Sequence, residues 1–196
     1  MKSKYIIFIF FIIFIFFSII IYNLHESGNN IINQSQENII EKILRTKEYT
    51  AKIKVTVYSN KNQNQYEIEQ YENIEQNESN EKLVSNENIG GLTIELKNNK
   101  LVISNTELNL KKIYEDYNPI TRNYLFLGNF IKEVNLEKVE ETENYIILNT
   151  KKNNNKYLHN KTLYINKKSK LPEKMIIIDD EQNVKTIIEY IEIELK

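Results

Sequence analysis

No cysteine and no tryptophan occur in the 196 residues, and histidine, proline and glycine number only two, two and four. Without cysteine the chain can form no disulfide, thiolate metal site, cysteine nucleophile or lipid-bearing cysteine anchor, so its stability must come from a packed core. Arginine is nearly absent too, with only Arg45 and Arg122, and 26 basic side chains stand against 27 acidic ones. A chain so balanced, with no basic stripe interleaved with aromatics, is not expected to bind nucleic acid.

The inventory for catalysis is equally thin. A reaction needs a nucleophile or base held beside an orienting partner. His25 follows an apolar run and His159 lies among Asn and Lys, neither with an acidic neighbour at ligand spacing. No paired histidines, nucleophile elbow or glycine-rich phosphate loop is present, so neither a metal nor an organic cofactor is expected and no residue is assigned a catalytic role. Asp179-Asp180 could be taken for a carboxylate pair, but Glu181-Gln182-Asn183 follow them between two apolar runs, the composition of a hairpin loop. The remaining glutamates fall at the spacing of solvated strand and helix faces.

What the chain has in abundance is isoleucine, asparagine and lysine, residues shared by A/T-rich codons, so clusters of Asn and Lys are first read as compositional drift. Lys2 and Lys4 precede an apolar run from Tyr5 to Tyr22 that only Ser18 interrupts. Its length, about 27 Å as a helix, nearly matches the roughly 30 Å hydrocarbon layer, and a cleavable signal would use a shorter run. The residues after it, Asn23-Leu24-His25-Glu26, are not the small ones a signal peptidase needs. Residues 5–22 are therefore expected to be an uncleaved signal anchor, with residues 1–4 cytoplasmic, 23–30 a linker and 31–196 an extracytoplasmic domain on a single-pass cell-membrane protein. From Asn23 onward 24 basic side chains face 27 acidic ones, which is not the charge of a polybasic membrane binder.

Within that domain Ile32, Ile39, Ile40, Ile43 and Leu44 fall at helical spacing, predicting an amphipathic helix that ends near Tyr49. The period then changes to two. Ala51, Ile53, Val55 and Val57 alternate with polar residues, as do Tyr66 and Ile68, and Leu92, Ile94 and Leu96. Lys82-Leu83-Val84 is a weaker strand candidate. Asn98-Asn99 can both take positive φ and predict a tight hairpin onto Leu101-Val102-Ile103. A short strand is read at Leu108 and Leu110. Phe126, Leu127, Phe130, Ile131 and Val134 break the pattern with a second, short helix. Strands resume near Val139, at 145–148, 163–165 and 175–178, and over 184–195, where Ile191, Ile193 and Leu195 alternate with charges. About ten or eleven strands and two helices predict a mainly β, α+β domain, a large curled antiparallel sheet wrapped around helices.

Two features could work by binding. The stripe Phe126, Leu127, Phe130 and Ile131 could line or plug a cavity enclosed by the sheet, although ordinary core packing is the favoured reading. The free edge of an incomplete barrel could accept a strand from a partner or a second copy.

Thr162 to Met175, with its strand, turn, Leu171-Pro172 and strand, resembles the LolA-like family, and so does the order of elements. Lys170 stands where many relatives have Gly. Tyr114-Glu115-Asp116-Tyr117 and the stretch Asn123 to Ile131 look most like the GerS group of clostridial germination proteins. The resemblance implies an incompletely closed antiparallel barrel of about eleven strands with an N-terminal helix and a short inserted helix. It also implies an accessory protein on the outer face of a membrane, in or near the forespore envelope, acting with a CwlD-like amidase on spore-cortex peptidoglycan. The alternative it implies is a LolA-like carrier of an acyl or lipoprotein ligand. GerS proteins are typically lipoproteins with a lipobox cysteine; this chain would replace that anchor with a spanning helix.

Overall fold

The computed structural model describes residues 36–196 except 60, 86–89, 118–123 and 151–159. The expected anchor, Ile32, His25 and His159 lie outside the described residues. The chain divides into two compact units, Met1–Lys42 and Ile43–Lys196, and the whole of the sheet and the second helix belong to the latter.

Helix α1 (residues 36–44) stops five residues earlier than the periodicity predicts, and strand β1 (Glu48–Ser59) already contains Tyr49. The β-branched, alternating run from Tyr49 onward favours a strand, and Thr46 closes the helix end with a bond from its N–H to the Ile43 carbonyl. Ten further strands follow: β2 (Asn62–Asn73), β3 (Glu78–Ser85), β4 (Leu92–Lys97), β5 (Lys100–Asn105), β6 (Leu110–Tyr114), β7 (Val134–Glu141), β8 (Tyr145–Thr150), β9 (Asn160–Asn166), β10 (Leu171–Ile178) and β11 (Val184–Leu195). The second helix, α2 (Leu127–Glu133), lies between β6 and β7 in the chain.

All eleven strands belong to one antiparallel sheet in the order β6-β5-β4-β3-β2-β1-β11-β10-β9-β8-β7. The first and last strands pair at its centre, so β6 and β7, consecutive in the chain, become the two edges of the sheet among the described residues. The sheet is not closed, as the LolA-like resemblance implies.

Local chemistry sets the turns. Asn98 and Asn99 take φ of 51° and 59°, the two-residue turn that matches strand twist. Asp179 to Asn183 connect β10 to β11, with Asp179 Oδ1 accepting the Asn183 N–H at 2.8 Å. Lys170 takes φ of 60° in the β9–β10 turn, where glycine would be unstrained. The short strand read at Leu108 begins instead at Leu110. Asn105 Oδ1 accepts the Leu108 N–H at 3.0 Å and Asn109 takes φ of 49°, which turns residues 106–109 into a tight loop.

One face of the sheet carries the core: Tyr49, Ile53, Ile146, Leu148, Leu163, Ile165, Met175, Ile177 and Ile188 are fully buried or within a percent of it. On β11 the inward phase changes. Thr186, Ile188 and Tyr190 are buried, but a register shift opposite Lys52/Ile53 turns Ile191 out to 51% exposure and aligns Ile193 with Ala51. The predicted Ile191, Ile193, Leu195 face is therefore broken by a β-bulge, which lets one long strand follow two curvatures.

Burial is uneven along the sheet. No residue of β4 or β6 is buried, and in β5 only Asn105 is.

Candidate functional site

Helix α2 begins without a cap of its own. Phe126 at the N-cap offers no side-chain hydrogen bond and the first turn holds no acidic residue. The leading N–H groups of a helix need acceptors, and here the sheet supplies them. The Leu127 N–H donates to the Tyr49 hydroxyl on β1 at 3.1 Å, and the Gly128 N–H donates to Glu72 Oε2 on β2 at 2.9 Å. Gly128 permits this approach. A Cβ there would sit 2.5 and 2.7 Å from the two Glu72 carboxylate oxygens.

The seat continues across the sheet. The Tyr49 hydroxyl donates to Gln70 Oε1 at 3.4 Å, and Gln70 Nε2 donates to Glu81 Oε1 on β3 at 2.8 Å. Glu72 and Glu81 are 5% and 6% exposed, so the expectation that the glutamates lie on solvated faces fails for both. The readable signal was phase: Gln70 and Glu72 continue the inward alternation of Ile68, opposite Ala51 and Tyr49. Polarity concealed it, because a carboxylate is rarely buried without partners.

Burial, and then the Glu72 charge, push the Tyr49 hydroxyl well above its usual range. The same two causes raise Tyr190 on β11. Both phenols therefore stay neutral at any physiological pH. The Tyr190 hydroxyl is buried and makes no hydrogen bond among the described residues.

The far end of α2 is held by Lys161 on β9. Its ammonium, 3% exposed, donates to Glu133 Oε2 at 2.7 Å and Asn129 Oδ1 at 3.1 Å. The predicted stripe sits in this seat: Phe126, Leu127 and Phe130 are buried, Leu127 and Phe130 completely, and Ile131 is half-buried. Val134, read as the helix's last apolar position, is the first residue of β7.

Tyr49, Glu72 and Lys161 thus bond α2 directly, and Glu81 holds Gln70 behind them. Two open grooves carry polar linings: about 550 Å³ beside Lys52, Glu69 and Glu192, and about 380 Å³ beside Glu140, Asn149 and Thr162. Among the described residues no cluster of three acidic or histidine side chains could hold a metal.

The two edges differ. β7 is distorted, since pairing with β8 jumps from Asn135 to Val139, and its exposed end carries Glu140 and Glu141. β6 is short, regular and exposed on both faces, with Leu110, Lys111, Lys112, Ile113 and Tyr114.

A family model described as sporulation protein YdcC-like matches residues 2–195, so the chain belongs to that family. Among solved structures, that of the CwlD amidase from Clostridioides difficile in complex with the GerS lipoprotein aligns at 25% identity with a TM-score of 0.50, covering 84% of this chain and 95% of that one. An uncharacterized conserved protein from Thermus thermophilus shares the fold, at 11% identity and a TM-score of 0.50, over 83% of this chain and 88% of that one. The LolA superfamily protein NE2245 from Nitrosomonas europaea aligns at 11% identity and a TM-score of 0.43, over 82% of this chain and 93% of that one. No curated protein matches the sequence.

Proposed function

From membership in a YdcC-like sporulation family, we propose that the chain is a non-catalytic, membrane-anchored binding protein. It serves as a GerS-type accessory factor for a CwlD-like amidase in spore-cortex modification and germination. The observation that carries this reading is the likeness over nearly the whole length of a chain in the CwlD–GerS complex. Two features support it. The buried ionisable groups Tyr49, Glu72 and Lys161 bond the protein's own helix, and Glu81 is bound to Gln70 beside Tyr49. Among the described residues the sheet also ends in two edge strands, the kind of backbone to which another chain can add.

Residues 5–22 form the anchor, with the N-terminus cytoplasmic and the β domain extracytoplasmic. This rests on the length of the apolar run and the flanking lysines; among the described residues no helix is long and apolar enough to cross a membrane. Deleting the gene and measuring muramic lactam in the cortex of the resulting spores tests the proposal. Lactam should fall and germination should fail, whereas a normal cortex would refute it.

A second reading, a LolA-like carrier of an acyl or lipoprotein ligand, draws on the half-buried inward side chains Leu92, Ile94, Leu101 and Ile103 of β4 and β5. Native mass spectrometry decides between the two: a carrier would retain acyl-bearing ligand, and an accessory factor would be recovered empty.

A further inference from the structure

We infer that β6 is the docking edge, and that its occupant is an extended partner segment reading apolar-apolar-acidic-acidic-apolar, added antiparallel to Leu110–Tyr114. The inference rests on the reading that the chain works by binding a protein partner.

Three observations lead to it. First, among the described residues β6 pairs only with β5, and no other described strand lies beside its outer backbone N–H and C=O groups. Second, its apolar side chains are unusually open for a sheet, with Leu110 61%, Ile113 41% and Tyr114 42% exposed. On the inward face Tyr114 lies opposite Leu101, Lys112 opposite Ile103 and Leu110 opposite Asn105, so the inward row reaches this edge as two apolar side chains flanking one ammonium. Third, the two lysines between those apolar residues make no ion pair among the described residues; the Lys112 ammonium lies 5.5 Å from the centre of the Tyr114 ring.

Charge then selects the occupant. A second β6 laid antiparallel about Lys112 would place ammonium opposite ammonium, which is the way edge lysines discourage self-pairing. The edge of β7 carries Glu140 and Glu141, but its broken register with β8 leaves residues 136–138 outside the ladder and spoils a flat edge. An outside strand faces neither obstacle. Opposite Tyr114 and Ile113 it needs apolar residues, opposite Lys112 and Lys111 carboxylates, and opposite Leu110 an apolar residue again. Main-chain bonds would supply affinity and the two carboxylates register and choice of partner.

The test uses the full chain in lipid nanodiscs and two labelled peptides, one with the core Val-Val-Glu-Glu-Val and one with Val-Val-Lys-Lys-Val. The acidic peptide should bind about tenfold more tightly than the basic one and should slow amide hydrogen exchange at residues 110–114. The double substitution Lys111→Glu, Lys112→Glu, at exposed positions, should leave the melting temperature unchanged and reverse the preference. Equal affinities, or protection elsewhere, would overturn the inference. So would a lysine-dependent self-association seen by sedimentation without peptide, which would put a second copy on this edge. An amidase that binds wild-type chain and the double variant alike would sink the β6 assignment while leaving the accessory role standing. If no amidase binds at all, that role falls and the peptide result alone judges β6.

Discussion

Gly128→Ala reverses the usual expectation for a glycine in a helix. Alanine at an ordinary helical position gains about 1 kcal/mol over glycine. Here the new methyl would stand 2.5 Å from Glu72 Oε1, 2.7 Å from Oε2 and 2.8 Å from Cδ, distances no real Cβ tolerates. Either α2 lifts off the sheet or the carboxylate swings away. Both break the 2.9 Å bond from the Gly128 N–H, a charge-assisted contact worth about 1.5–3 kcal/mol. Overpacking adds about 1–3 kcal/mol, so after the propensity gain the net expectation is a loss of about 1.5–5 kcal/mol. In a chain of this size that lowers the melting temperature by roughly 3–20 °C, readable by far-ultraviolet circular dichroism. The same substitution in a Glu72→Ala background removes the obstacle, and there alanine should be neutral or gain up to about 1 kcal/mol. A wild-type background stabilised by Gly128→Ala, or an equal loss in both backgrounds, would refute the account of the helix seat.

Three more outcomes are expected. Tyr49→Phe removes the acceptor of the buried Leu127 N–H and should cost about 1–3 kcal/mol, whereas Tyr190→Phe deletes a hydroxyl with no described partner and should be neutral or stabilising; denaturant titration of both variants checks the contrast. Lys170→Gly relieves a lysine held at φ 60° and should raise stability by about 1 kcal/mol. The hydrogen bond from Lys185 lowers the Asp179 carboxyl from 3.8 to about 2. Its stabilising contribution is therefore complete above about pH 4 and is lost as pH falls through about 2. Melting curves between pH 5 and 2 should be shallower against pH for Asp179→Asn than for wild type, and parallel curves would contradict this.

The strands were legible wherever apolar and polar residues alternate, as at 51–57 and 92–97, and the turns wherever asparagine or aspartate could take up the backbone, as at Asn98-Asn99 and Asp179 to Asn183. The second helix was legible from Leu127, Phe130 and Ile131, though its end was not, because Val134 satisfies both the helical and the strand period. The polar half of the helix seat escaped notice because Glu72, Glu81 and Lys161 look solvent-facing by type, and only the strand phase shared with Ile68, Leu83 and Leu163 marks them as inward. The bulge at Ile191 was hidden because both phases of 187–193 contain isoleucine, so either face could be buried. Which strands become edges depends on β1 pairing with β11 across the whole domain, and no local pattern carries that information.

Mixing the purified full-length chain with a CwlD-like amidase from the same genome, and following peptide release from peptidoglycan, tests most directly whether this sheet works by contact alone. The chain by itself should release nothing, should form a complex with the amidase, and should raise its rate. Peptide release by the chain alone, or an amidase that neither binds it nor changes rate, would contradict the account.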